Sequence, residues 1–218
     1  MQITWLGHSA VKIKGTKTIY IDPFLSENPA ASTSPDEVTE ADIVIVTHDH
    51  SDHLGDAFPI CKKTSATLVG IHEIAVMAES EGITAEGMNI GGTVEINGVK
   101  VHMVNALHSC DKGDPAGVVV EMDNKTLYHA GDTALTYDMK LIADFFHPDL
   151  SFLPIGDRYT MGINSAAKAV EFTQTKKVIP IHYDTFPLVN ADPEEFKKLV
   201  GDKAEVIILN QGESYNLT

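Results

Sequence analysis

Between positions 47 and 53 the chain reads Thr47-His48-Asp49-His50-Ser51-Asp52-His53, with three histidines and two aspartates in six positions. The segment follows directly on the apolar run Asp42-Ile43-Val44-Ile45-Val46-Thr47, which reads as a buried strand. A strand ending in a His-x-His-x-Asp-His loop aims several imidazoles and carboxylates at one point. These groups are preferred ligands of zinc and its first-row neighbours. An isolated His pair is ordinary surface chemistry, whereas the full pattern beside a buried strand points to a metal site.

This constrains the fold, because metal-type residues recur wherever apolar strands end. His108 follows the run Val101–Leu107, Asp132 follows Leu127–Gly131, and His182 follows Val178–Ile181. With His48, His50, Asp52 and His53 they make seven groups at four strand ends. If the sheets stack with these ends on one edge, all seven converge there. Seven groups are too many for one tetrahedral ion and suit two sites sharing a bridging ligand.

Elsewhere the pattern is of short strands first and strand–helix alternation later. Strands are expected over Gln2–Leu6, Ala10–Ile13, Thr18–Asp22, Asp42–Thr47 and Ala66–Val69, with a helix over Glu73–Glu81. Thr93–Ile96 and Val99–Val104 flank the hairpin signal Asn97-Gly98, and Val118–Met122 and Lys125–His129 flank Asp123-Asn124. Helices over Tyr137–Phe145, Ser165–Thr173 and Pro193–Val200 then alternate with strands Leu150–Leu153, Lys177–Ile181 and Glu205–Leu209. The layout suggests two sheets with helices outside, in a single α/β domain spanning 1–218. The stretch from Ser26 to Glu40 reads as a long surface loop or a mobile flap.

The residues quoted so far occur in order with Trp5-Leu6-Gly7-His8-Ser9, Asp22-Pro23-Phe24, Ala116-Gly117, Tyr128-His129-Ala130-Gly131-Asp132-Thr133, the segment Pro154–Gly162 and Ile181-His182-Tyr183. Together they resemble the metallo-β-lactamase superfamily over essentially the whole chain. The resemblance is to a branch of small metal-dependent hydrolases near the ascorbate-6-phosphate lactonases and the N-acylphosphatidylethanolamine phospholipase D enzymes. It implies a four-layer αβ/βα sandwich, two mixed β-sheets with helices on the outside and metals at the sheet edge. It also implies two divalent ions per chain, zinc or manganese first, with iron and nickel also accommodated by the donors. His48, His50 and His108 would hold one ion and Asp52, His53 and His182 the other, with Asp132 bridging. A hydroxide between the ions would cleave an ester-type bond in a lactone, phosphate ester or phosphodiester. His50 stands where redox diiron relatives usually carry Glu, which favours hydrolysis. The alternatives are a thioester hydrolase of glyoxalase II type, and a non-catalytic metal-binding sensor or scaffold.

Outside the ligand set, His8 is a candidate for supporting the site or binding substrate, and Asp52 for orienting the nucleophile. Tyr159 is a candidate proton donor or substrate contact. Asp22 reads either as a turn residue or as the acceptor that orients a liganding His, and Met161 as part of a structural loop. His129 is expected to support the Asp132 turn, and His72, His102 and His147 to lie at the surface or at helix ends.

The net charge of −15, with no Lys/Arg cluster to offset it, repels phosphate polymers and anionic lipid. The expected partner is a small anionic or ester-type substrate, not nucleic acid, and a homo-oligomer is compatible with the sequence. No apolar run reaches the ~20 residues of a membrane helix, and no signal peptide is evident. The only cysteines, Cys61 and Cys110, read as free thiols of a cytoplasmic protein.

Overall fold

A computed structural model describes all residues from Met1 to Thr218. In the N-terminal half, apolar and polar residues alternate and make hairpins. In β1 (Gln2–Gly7) Ile3 and Trp5 are buried while Gln2 faces out, and β1 pairs antiparallel with β2 (Ala10–Lys14), which pairs with β3 (Thr18–Ile21). β4 (Ile43–Ile45) is apolar throughout and fully buried, as a strand covered on both faces must be. α1 (Ser51–Leu54) and α2 (Ala57–Thr64) follow, then β5 (Thr67–Ile71), α3 (His72–Ser80) and β6 (Ala85–Met88).

The second half opens with β7 (Thr93–Ile96), β8 (Val99–Asn105), β9 (Ala116–Met122) and β10 (Lys125–His129). Asn97 and Gly98 have φ of 51° and 84°, and Asp123 and Asn124 of 53° and 58°, so both two-residue turns take the left-handed pairing that tight hairpins require. α4 (Met139–Phe146), β11 (Leu150–Pro154), α5 (Ile163–Thr173), β12 (Lys177–Ile181), α6 (Pro193–Val200) and β13 (Glu205–Val206) complete this half, and β14 (Ser214–Asn216) returns to β1. The strands form two seven-stranded mixed sheets, ordered β14-β1-β2-β3-β4-β5-β6 and β13-β12-β11-β10-β9-β8-β7. α2 and α3 pack on β4, β5 and β6, and α4, α5 and α6 form a layer on the other sheet. Side chains of both sheets share one hydrophobic cluster of 58 buried residues.

Strand direction decides where the chemistry goes. β1, β3 and β4 run parallel to one another, as do β8, β10 and β12. His8, Asp22, the 48–53 loop, His108, Asp132 and His182 therefore all follow the carboxyl ends of strands of like direction, where open α/β sheets bind ligands.

Some elements differ from the expected ones. α2 carries Pro59 in its first turn, where a missing N–H breaks no intrahelical bond. β6 and β14 are short edge strands with weak local signals, and β14 exists because it pairs with β1 across more than two hundred residues. The last expected strand keeps only Glu205–Val206, the residues that pair in register with β12, and Ile207 N closes the pairing on Val178 O at 2.9 Å. The Ser26–Glu40 loop is tied down: Ser32 N donates to Leu6 O at 3.1 Å, Asn28 Nδ2 to Phe24 O at 3.0 Å, and Val38 is buried. No helix is long and apolar enough to cross a membrane.

Candidate metal centre

The chain reverses sharply as it leaves three of these strands. His8, Asp22 and His182 have φ of 53°, 47° and 54°. Left-handed backbone at a residue with a β-carbon costs on the order of 1 kcal/mol or more each, and here it turns the side chain back over the sheet edge. Gly7, with φ of 108°, precedes His8, and a β-carbon there would lie 2.5 Å from Ala30 O. Gly156 is needed for proximity instead, because its β-carbon would stand 2.2 Å from His182 O.

Eight side chains meet at this edge. His48, His50 and His108 place ring nitrogens within 4.8 Å of one another, and ring nitrogens and carboxylate oxygens come equally close in the group His48, His53 and Asp132 and in the group His8, Asp52, His53 and His182. Asp132 lies between the groups. Its Oδ1 is 3.2 Å from His53 Nε2, and its Oδ2 is 3.1 Å from His182 Nε2 and 3.5 Å from His108 Nε2. His48 Nε2 and His50 Nδ1 are 3.0 Å apart, and Asp52 Oδ2 is 4.0 Å from His182 Nε2. The structure thus brings together His48, His50, Asp52, His53, His108, Asp132 and His182, and adds His8 to them.

The donor set fits divalent cations. Of eight buried side-chain polar atoms in the chain without a hydrogen-bond partner, four are His53 Nε2, Asp132 Oδ1 and both ring nitrogens of His182. Leaving such atoms unpaired costs about 1–3 kcal/mol each, and those of His53, Asp132 and His182 facing the cluster point at a common ligand. Burial pushes His48 down to about 3 and His8 to about 4, and lowers His108 as well. These rings are neutral at physiological pH and offer lone pairs. Burial also opposes charge on His53, but the Asp132 and Asp22 carboxylates outweigh it and hold the ring well above its ordinary value. In turn His53 and His182 overcome the burial of Asp132 and keep its carboxyl well below the usual range. A cation at His53 Nε2 would displace a tightly held proton.

A second ring of residues holds the candidate ligands. Buried Asp22 accepts from Thr47 N at 2.8 Å and Thr47 Oγ1 at 2.7 Å, and lies 2.7 Å from His53 Nδ1. It is an acceptor that orients His53, and not merely a turn residue. His8 Nε2 lies 3.1 Å from Asp52 Oδ2, and His8 Nδ1 2.9 Å from Thr185 Oγ1. An ionised carboxylate only accepts, so the His8 Nε2–H donates to Asp52 and the bare Nδ1 accepts from Thr185. His129 supports the Asp132 turn, with Gly131 N donating to its Nδ1 at 3.1 Å. Asp49 accepts from Asp111 N at 2.9 Å, tying the ligand loop to the segment after His108.

Tyr159 lines a cleft of about 420 Å³ over the cluster, together with His50 and Asp52. Asp157 and Arg158 ahead of it have φ of 59° and 40°, and Met161 N, buried with its side chain, donates to Thr133 O at 2.9 Å. The loop is a strained span anchored beside Asp132. Cys110 turns its thiol onto Gly113 O at 3.2 Å and does not line the cleft, and both cysteines are free. His102 pairs with Thr93 and Glu121, while His72 opens α3 and His147 ends α4, all apart from the cluster. Thr185, Phe186, Leu188 and Val189 escaped the sequence reading. The only signal they carry is their position just after His182.

Residues 17–183 match the family model described as "Beta-lactamase superfamily domain". A UPF0173 metal-dependent hydrolase of Methanopyrus kandleri is 53% identical over 230 residues, covering 99% of each chain. Another, of Thermococcus onnurineus, is 50% identical over 225 residues and covers both chains completely. Among solved structures, a metallo hydrolase of the hyperthermophilic archaeon Ignicoccus hospitalis superimposes with a TM-score of 0.94 at 37% identity, over 100% of this chain and 99% of that one. A sandwich of two mixed sheets with a His/Asp cluster at its edge, and full-length similarity at this level, make the chain a member of the metallo-β-lactamase superfamily, within the UPF0173 family of metal-dependent hydrolases.

Proposed function

We propose that the chain is a dinuclear metal-dependent hydrolase of ester-type bonds. The observation that carries this reading is Asp132, a buried carboxylate whose two oxygens lie within 3.5 Å of Nε2 atoms of three histidines from three different strand ends. His48, His50 and His108 would hold one ion, and Asp52, His53 and His182 the second, with Asp132 shared. Two divalent cations there supply a water acidic enough to be a nucleophile at neutral pH and a counter-charge for the developing oxyanion. The relatives named above share the metal-dependent hydrolase description, which supports the same class.

The chain's own residues would do the rest. His8 holds Asp52 Oδ2, which fixes the carboxylate and leaves its other oxygen to accept a proton from the attacking water. Thr185 holds His8 in the required tautomer. The Tyr159 phenol, at the open side of the cleft, would donate a proton to the leaving group. The low-dielectric floor strengthens each of these interactions.

Elemental analysis after reloading with zinc or manganese tests the reading. Two ions per chain are expected, with Asp132→Ala losing both and His108→Ala retaining one. A single ion in the wild type, or an Asp132→Ala variant that keeps both ions and full ester turnover, would overturn it.

A further inference from the structure

The cleft over the cluster is two-sided. One side is the ligand set. The other is Tyr159, Phe186, Leu188 and Val189, and no lysine or arginine lines it. The only guanidinium nearby, that of Arg158, lies over the Tyr159 ring at 5.7 Å and is no part of the lining. Three of the nine large apolar side chains exposed on the whole surface gather here: Tyr159 and Leu188 at 53%, and Phe186 at 37%. Leaving them in water forgoes about 25 cal/mol for each Å² that could be covered.

This apolar wall is built, not loose. Asp184 N donates to Val189 O, Val189 N to Phe186 O, and Ala191 N to Asp184 Oδ1, each at 3.0 Å. The Phe186 ring sits 5.8 Å from that of His8 and 6.5 Å from that of Phe24. The segment that supplies His182 to the cluster therefore also fixes apolar side chains at the mouth, so a ligand that reaches one touches the other. An anionic tail would find no cation on this wall, and a net charge of −15 around it.

We propose that the substrate is electrically neutral and carries an apolar group, a short alkyl chain or a single ring. That group packs on Phe186, Leu188 and Val189 while the scissile ester-type group faces Asp52 and Asp132. The inference rests on the hydrolase reading and narrows its substrates from small anions and esters in general to neutral apolar esters or lactones. Phe186 and Leu188 are its specificity-determining residues.

The test uses binding, with no turnover required. Alkyl hydroxamates, which share one chelating head and lengthen from acetyl to octanoyl, are titrated by calorimetry into the metal-loaded protein. Affinity should rise about three- to fourfold per added methylene until the wall is covered. A tail ending in carboxylate should bind at least tenfold more weakly than the methyl-ended tail of equal length. Leu188→Ala and Phe186→Ser should flatten the dependence on length, whereas general damage to the fold or metal content shifts all members alike and leaves the slope. A flat wild-type series, or equal binding of the carboxylate tail, overturns the inference. Hydrolysis of neutral esters is followed in parallel. A flat series with ester turnover intact sinks this inference alone. A steep series with no turnover of any ester sinks the hydrolase reading and leaves an apolar ligand site.

Discussion

Replacing Asp22 by Asn changes one buried atom and should cost the proposed second metal position most of its affinity. Asp22 Oδ1 accepts from Thr47 N at 2.8 Å, and Oδ2 serves both Thr47 Oγ1 and His53 Nδ1 at 2.7 Å. An amide has one oxygen and one donor in their place. With its oxygen on Thr47 N, its NH2 faces His53 Nδ1, which must then be bare. The one proton of the neutral ring then sits on Nε2, the atom that looks at Asp132 across 3.2 Å, and a cation could displace it only by leaving an imidazolate. A protonated Nε2 cannot ligate. With the amide reversed, the NH2 meets the Thr47 N–H instead, and a buried donor goes unpaired at about 1–3 kcal/mol. Loss of an outer partner of a ligand typically lowers metal affinity 10- to 100-fold, about 1.4–2.7 kcal/mol. The first position, reached only through Thr47 Oγ1 at 3.0 Å from His48 Nδ1, should lose less. Competition titration against a chromophoric chelator resolves the two steps, and a chelator-treated thermal melt reports the fold separately. Two unchanged affinities would refute the argument that Asp22 sets the His53 tautomer.

Further outcomes follow from other residues. Gly156→Ala drives a β-carbon to 2.2 Å from His182 O, so it should lower stability by about 1–3 kcal/mol through overpacking and reduce metal retention, read by denaturant midpoint and elemental analysis; wild-type values for both would contradict the close approach. Asp42 is held below its ordinary value, its partial burial outweighed by Thr18 N and Lys17. Its contribution is thus complete above the unfolded carboxyl pKa of about 3.9 and lost as pH falls through the lower folded value, so Asp42→Asn should shallow the acid limb of a stability–pH profile by less than about 1 kcal/mol. An unchanged limb would remove Asp42 from that account. Burial pushes the Cys61 thiol up to about 12 at 2% exposure, so no more than one thiol per chain should react with a disulfide reagent at pH 8, and two in denaturant; rapid native reaction of both would show that α2 opens.

The local chemistry was legible because it depends on short-range patterns. Asp123-Asn124 and Asn97-Gly98 make tight hairpins wherever they occur between strands, since both residues accept left-handed backbone. A run such as Ile43-Val44-Ile45 has no stable place except a covered strand. His48, His50, Asp52 and His53 lie within one loop and share its fate, and the resemblance of the whole chain to a known superfamily supplied the sandwich. What the sequence left open depends on contacts between distant residues. β14 has only a weak local signal and exists through its pairing with β1. Asp22 could have been a turn residue; the approach of His53 Nδ1 from another strand end makes it an orienting acceptor. His8 joins Asp52 and Thr185 only when β1, the 48–53 loop and the segment after β12 reach one edge. The apolar wall of Phe186, Leu188 and Val189 was invisible for the same reason: apolar residues in a loop carry no periodicity, and only the packed fold sets them across a cleft from a cluster of carboxylates and imidazoles.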